Sequence, residues 1–184
     1  LGFLGGVLEG YGCPGLGHVA YGLLCRELER IDTAFRSAVG VQSGLAMGAI
    51  HSYGSEEQKQ RFLPEMASGN QIGCFGLTEP DHGSDPSRMK SRANKDGNGY
   101  RLNGSKTWIT NAPIADILVV WAKDDDEIFG GFILDRSMEG LQTPKIQGKF
   151  GARASSTGEV IMEDVFVPEK NRLSRVKGLG AALA

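Results

Sequence analysis

Three cysteines in 184 residues, Cys13, Cys25 and Cys74, form no C-x-x-C pair and leave an odd total, which argues against a disulfide framework and for a reducing compartment. Histidine is equally sparse. His18, His51 and His82 are scattered, without the i, i+4 pairing and carboxylate of a zinc helix, so no metal site is expected. Neither charge sign dominates: 20 Lys plus Arg against 22 Asp plus Glu give a net charge of −2, which supplies no general attraction to nucleic acid or an anionic membrane. No apolar run approaches the ~20 residues of a membrane-spanning helix. There are no internal repeats. The chain opens on Leu1 with no basic segment ahead of an apolar stretch, so either the start is missing or a segment has been removed.

What is abundant is glycine, 27 residues, about twice the ~7% of average usage, against an otherwise globular 40% apolar and 23% charged composition. The length suits one domain or two small ones. Two periodicities divide it. From Val19 to about Ser68 the text is helical: Leu24, Leu28, Ile31, Phe35 and Ala38 fall on one stripe at spacings of four and three. Asp32 and Thr33 can cap a fresh helix, which allows two helices meeting near Ala34. Ser55-Glu56-Glu57-Gln58 has the form of a capping box, opening a helix that carries Phe62, Leu63 and Met66 inward and stops around Gly69. After Gly69, short β-branched or aromatic runs follow at 72–78, 89–95, 100–110, 117–122, 131–134 and 159–167. Asp96-Gly97-Asn98-Gly99, Asn103-Gly104, the acidic Asp124–Glu127 and Glu139-Gly140 separate them. Strands so divided, with no helices between, predict an antiparallel sandwich or barrel, and the acidic run reads as a solvated hairpin tip. The fold class is thus α+β, with a partial helical segment over 1–70, a β domain over 71–172 and the start of another helical part at 173–184.

Two phosphate motifs fail on context. Gly10-x-Gly12-x-x-Gly15 has no strand before it, and Asp32, at the distance of a ribose ligand, sits in helical text. Gly99–Thr107 nearly spells a P-loop, yet Ser105 intervenes before Lys106 and a Trp-bearing strand follows where a helix is needed. Two others are more informative. Cys74-Phe75-Gly76-Leu77-Thr78-Glu79-Pro80-Asp81-His82-Gly83-Ser84-Asp85 is a strand ending in a small-residue loop. It can offer backbone N–H groups and the Thr78 and Ser84 hydroxyls to a heterocycle edge and a pyrophosphate, or be an ordinary hairpin corner. In Lys106-Thr107-Trp108-Ile109-Thr110-Asn111 the indole is a flat wall and Thr110 a hydroxyl on the same side of the strand, as a flat redox ring requires; a core tryptophan in a barrel is the alternative.

The two motifs, about thirty residues apart behind a helical segment, resemble the acyl-CoA dehydrogenase family and its "TEP-x-x-GSD" loop and "K-x-W-I-T-N" strand. The resemblance covers essentially the whole chain, including Arg153–Thr157 and Val167-Pro168. It implies FAD as cofactor, with Phe75, Gly76, Leu77, Thr78, Gly83 and Ser84 at the isoalloxazine and pyrophosphate, and Trp108, Ile109 and Thr110 at the redox edge. It also implies an acyl-CoA thioester against the same face, with Ser84 near its pantetheine-nucleotide portion. Tyr21-Gly22-Leu23-Leu24, Glu27–Asp32 and Cys74–Glu79 resemble the glutaryl-CoA dehydrogenase branch, in which Arg36, beside Ser37, would grip the substrate's distal carboxylate. The bland reading of Arg36 is a surface ion pair with Asp32 or Glu29 on one helix face. Gly40 departs from the serine expected near that carboxylate. The branch implies α-proton abstraction by a carboxylate, hydride transfer from the β-carbon to flavin and loss of CO2 to give crotonyl-CoA. Electrons would pass to an electron-transferring flavoprotein, from a parent that is a homotetramer in a bacterial cytoplasm or mitochondrial matrix. The family's base belongs to a C-terminal helical domain, so this chain alone is expected to be inactive and to bind FAD weakly. Glu79, before Pro80, is expected to order its loop rather than take a proton. Other readings are a dehydrogenase for another short or branched acyl-CoA, an oxidase or monooxygenase of similar architecture, and a non-catalytic flavin- or CoA-binding module.

Overall fold

The computed structural model describes residues 2–183; Leu1 and Ala184, the ends of the first and last predicted segments, lie outside them. A short ribbon, β1 (Glu9–Gly10) and β2 (Cys13–Pro14), occupies the failed dinucleotide motif and precedes α1 (His18–Ile31) and α2 (Thr33–Gly40). The helices are separate because Asp32 leaves helical backbone and its carboxylate accepts the Ala34 N–H at 2.7 Å. The break interrupts the apolar stripe, and neither helix contains a buried residue; Ile31 is 73% exposed. A π-helical turn, Val41–Ala46, continues α2 into α3 (Met47–Tyr53).

The next helix, α4 (Glu56–Ser68), starts on the predicted capping box: Gln58 N–H donates to Ser55 Oγ at 3.2 Å and Ser55 N–H to Gln58 Oε1 at 2.8 Å. Phe62, Leu63 and Met66 are buried, and Gly69 ends the helix at φ 83°, a left-handed conformation that glycine adopts without a Cβ penalty. Gln58 has a second task. Its Nε2 donates to the carbonyls of Lys170 and Arg172, at 2.7 and 2.9 Å, tying the start of α4 to the far end of the β domain.

Seven strands form one curled sheet, a half-barrel: β3 (Gly73–Gly76), β4 (Arg92–Asp96), β5 (Gly99–Thr110), β6 (Ile117–Lys123), β7 (Phe129–Asp135), β8 (Leu141–Gln142) and β9 (Thr157–Pro168). Their order is β3-β6-β4-β5-β9-β8, with β7 on β6. The expectation of a purely antiparallel sheet is corrected. The sheet is mixed, because β3 runs parallel to β6, from Gly73 opposite Ile117 to Gly76 opposite Val120, and Arg92 of β4 meets Lys123 in the same sense. After β3 the chain makes the β4–β5 hairpin before β6 returns beside β3, a crossover long enough for parallel pairing. The unbroken apolar run Ile117–Ala122 belongs to a strand covered on both faces. Leu118, Val120 and Ala122 enter the core inside the curl, whereas Ile117, Val119 and Trp121 pack on Met47, Ile50, Phe62, Leu63 and Met66 from the helices. The acidic run is the predicted hairpin tip, where Asp124 Oδ1 accepts the N–H groups of Asp126 and Ile128.

Among the described residues one full ion pair lies inside. Lys106 Nζ of β5 is 2.9 Å from Glu79 Oε1, with the lysine completely enclosed and the glutamate 5% exposed. Burial pushes the Glu79 carboxyl up, but the Lys106 ammonium and the N–H groups of Lys90 (2.6 Å) and Ser91 (2.9 Å) outweigh it and hold it at about 2. Glu79 therefore orders its loop, as predicted.

Two outcomes are expected in thermal unfolding. Ser55→Ala should cost about 1 kcal/mol, the usual worth of an N-cap. Gln58→Ala should cost more, about 2–3 kcal/mol, since it also leaves two carbonyls without a donor. As for pH, a carboxyl depressed on folding contributes stability that is complete above its unfolded value and lost as pH falls toward its folded one. Glu79 should thus contribute about 3 kcal/mol that disappears between roughly pH 4.5 and 2. Acid unfolding monitored by circular dichroism should lose that part of its slope in Glu79→Gln.

Candidate functional site

The end of β3, the end of β5 and the π-helical turn meet at one open cleft of about 420 Å³. Its walls are Val41 and Leu45 from the turn, Phe75, Leu77 and Thr78 from β3 and the loop after it, and Trp108, Ile109 and Thr110 from β5, with Ala182 and Leu183 of α5 (Gly180–Leu183) at one side. Such a volume is within the ~300–1,000 Å³ of small-molecule sites. Two hollows of comparable size, about 430 Å³ at Lys145–Arg153 and about 550 Å³ around Arg101 and Asp164, are charged surfaces and contain none of the sequence-predicted site residues.

Trp108 shows how the sequence makes this wall. β5 changes register against β9 between Lys106 and Ile109, and Trp108 adopts φ 59°, a left-handed conformation uncommon for a bulky residue. The bulge sends Ile109 into the core and leaves the indole 62% exposed. The core-tryptophan alternative is therefore excluded for Trp108; the enclosed tryptophan is Trp121. The Phe75 ring lies against Trp121, 5.8 Å between centroids at 57°, which fixes the second aromatic wall. The hydroxyls of Thr78 and Thr110 take no hydrogen bond from or to another described residue and remain free to donate. A flat heterocycle with a polar edge needs such walls and donors, and these residues fit one.

Six sequence-predicted positions thus converge: Phe75, Leu77, Thr78, Trp108, Ile109 and Thr110. The others do not line the cleft. Gly76, one step along β3, faces the opposite side, where an added Cβ would stand 3.2 Å from Lys106 Cγ and 3.4 Å from Val120 Cγ2. Gly83 and Ser84 are exposed on the loop that follows, Gly83 beside the Thr78 methyl. Arg36 and Ser37 lie on α2, just before the turn that carries Val41 and Leu45. Arg36 Nε donates to Glu29 Oε2 at 2.8 Å across the Asp32 break, so the ion pair with Glu29 forms although the helix is not continuous. Its two terminal nitrogens bond to no other described residue. Gly40 borders open space.

Several site residues have no mark in the sequence. Val41 and Leu45 reach the cleft through a π-helical turn, a distortion that follows from packing rather than from residue type. Beneath them Gln42 accepts the Gly73 N–H at 2.5 Å and donates to the carbonyls of Met66 and Gln71, while Asn111 Nδ2 donates to Gly73 O at 3.3 Å. The start of β3 is held from both sides by buried amides. Among the described residues no carboxylate lines the cleft, and Glu79 is turned inward and committed. Burial lifts the Cys74 thiol to about 12, so it is no nucleophile.

Comparison with known proteins agrees with this geometry. Residues 1–70 match the acyl-CoA dehydrogenase N-terminal domain and residues 74–165 the acyl-CoA dehydrogenase middle domain. Mitochondrial isovaleryl-CoA dehydrogenase of Pongo abelii is 41% identical over 169 residues, 89% of this chain and 40% of that protein. Among solved structures, a glutaryl-CoA dehydrogenase from Mycobacterium smegmatis in complex with FADH2 superposes with a TM-score of 0.97 at 48% identity, over 99% of this chain and 47% of that one. A glutaryl-CoA dehydrogenase in complex with glutaryl-CoA gives 0.91 at 37% identity, over 98% and 47%. This chain spans less than half the length of each of these relatives. It belongs to the acyl-CoA dehydrogenase family.

Proposed function

We propose that the chain is the flavin-binding part of an acyl-CoA dehydrogenase acting on glutaryl-CoA, with FAD in the cleft described above. The observation that carries the cofactor assignment is the convergence of six motif residues on one cleft with flat walls and free hydroxyls. FAD, when bound, supplies the acceptor for the hydride that leaves the acyl β-carbon. Trp108 and Phe75 would wall its ring system, and the Thr78 and Thr110 hydroxyls would donate to its polar edge. Gly83 and Ser84 would offer loop N–H groups to its pyrophosphate, and Ser84 would serve the pantetheine-nucleotide portion of the thioester.

The substrate reading rests on Arg36. Glu29 engages only its Nε, which leaves two guanidinium nitrogens for a distal carboxylate and allows a bidentate grip. Arg36, aided by Ser37, would hold that carboxylate until it departs as CO2. The isovaleryl-CoA relative favours a second reading, a short branched acyl group, for which Arg36 would be a surface ion pair. Since no carboxylate among the described residues lines the cleft, the base that takes the α-proton would come from elsewhere, and the chain alone would not turn over. The complete enzyme would be a homotetramer that passes electrons to an electron-transferring flavoprotein in a bacterial cytoplasm or mitochondrial matrix. No helix of the described residues is long and apolar enough to cross a membrane.

Equilibrium dialysis should show saturable FAD binding by this chain, weakened at least tenfold by Trp108→Ala; equal binding by both would remove the cofactor assignment. In the complete enzyme, Arg36→Ala should lower kcat/KM for glutaryl-CoA about 100-fold relative to butyryl-CoA, the worth of one charged bidentate contact at ~2–3 kcal/mol. Equal losses on both substrates would favour the branched-acyl reading.

A further inference from the structure

Glu79 is held ionised by its partners, yet an enclosed ion pair contributes little over well-packed apolar residues of the same volume, so stability alone does not account for the Lys106–Glu79 pair. Its connections are more telling. Glu79 directly follows Thr78, and Lys106 stands two residues before Trp108, so the pair joins two of the segments that line the cleft. Lys106 Nζ also donates to the Leu77 carbonyl at 3.2 Å, and the Thr107 N–H donates to the Thr78 carbonyl at 2.9 Å. Residues 77–79 are thereby laced to 106–107. On its other side Glu79 accepts the Lys90 and Ser91 N–H groups, which closes the loop containing Gly83 and Ser84.

Two further features adjoin Lys106. Gly76 presents no side chain, and a Cβ there would crowd Lys106 Cγ at 3.2 Å. The positive φ of Trp108 falls inside the register shift that begins at Lys106, so the strained wall residue sits next to the anchored one. We propose that Lys106 and Glu79 are positioning residues for the flavin: a strut inside the sheet that sets the gap between the Thr78 wall and the Trp108 wall and holds the 79–91 loop closed over the pyrophosphate side. The strut rests on the flavin reading of the cleft for its purpose, but its existence can be tested without cofactor.

The test uses this chain with Glu79→Gln, Lys106→Met and the double variant. Without cofactor, acrylamide quenching of tryptophan fluorescence reports Trp108, since Trp121 is fully enclosed. Each single variant should change the quenching constant by at least 1.5-fold, with far-UV circular dichroism unchanged. With FAD at pH 7, each single variant should bind at least tenfold more weakly at a temperature where all are folded. Lys106→Met supplies a signature that lost stability alone does not. It leaves Glu79 buried without its cation, so FAD affinity should recover severalfold as pH falls from 7 to 5 and the carboxyl takes a proton. The other ionisable groups around Glu79 are Asp81, Lys90 and His82, with Asp81 and Lys90 paired at 2.8 Å. Wild type and the double variant carry all three and should not show the recovery. If Lys106→Met does not fold, Glu79→Gln, which keeps its shape and an acceptor oxygen, carries the comparison through quenching and affinity. Single variants that melt lower yet match the wild type in quenching, in FAD affinity and in pH response overturn the strut. Should the wild type bind no FAD while the quenching changes appear, the flavin reading fails and the strut stands.

Discussion

The architecture depends on β6 being covered on both faces. Its alternate side chains serve two cores at once, Leu118 and Val120 inside the curled sheet and Val119 and Trp121 against α3 and α4. A strand so placed cannot slip by one residue without exchanging its contacts with both. That fixed register is what sets β3, its parallel neighbour, beside the helices. With β3 fixed, Gln42 and Asn111 can clamp Gly73, and the π-helical turn comes to rest over Phe75. The cleft is the gap left where three elements of different origin are pinned around that one strand.

Charge and strain are concentrated at this gap and are scarce elsewhere in the interior. A completely enclosed ammonium, a carboxylate with three donors and a tryptophan at φ 59° stand within a few residues of one another along two neighbouring segments. Each is costly in isolation. Their joint presence is understandable if the surrounding hydrogen bonds over-determine the backbone, as happens where a binding surface has to be rigid before the ligand arrives. The outer faces of α1 and α2 are the opposite case. They carry apolar side chains such as Ile31 in the open, held by local caps and surface ion pairs.

Local chemistry was legible in the sequence because it is written in neighbours. The Ser55–Gln58 capping box, the Asp32 break, the Gly69 terminus and the acidic hairpin tip all involve partners within four residues, and all are present. The strand runs were legible too. Parallel pairing of β3 and β6 was not, since the partners are about forty residues apart and the strands' own pattern reports burial rather than direction. The motif residues of the cleft were read in place, but alternation alone could not reveal the bulge that settles which tryptophan is exposed.

By itself the sequence determined the kinds of element, their order and the two motif segments that line the cleft, because periodicity, capping and motif spacing are properties of short stretches of chain. Only the tertiary structure decided that six of the expected residues share one cleft, that Gly76 faces away from it, and that Val41 and Leu45 complete it. It alone paired Lys106 with Glu79 across twenty-seven positions. Ion pairing in a dry interior is set by distance and desolvation, and neither quantity exists until the chain has folded.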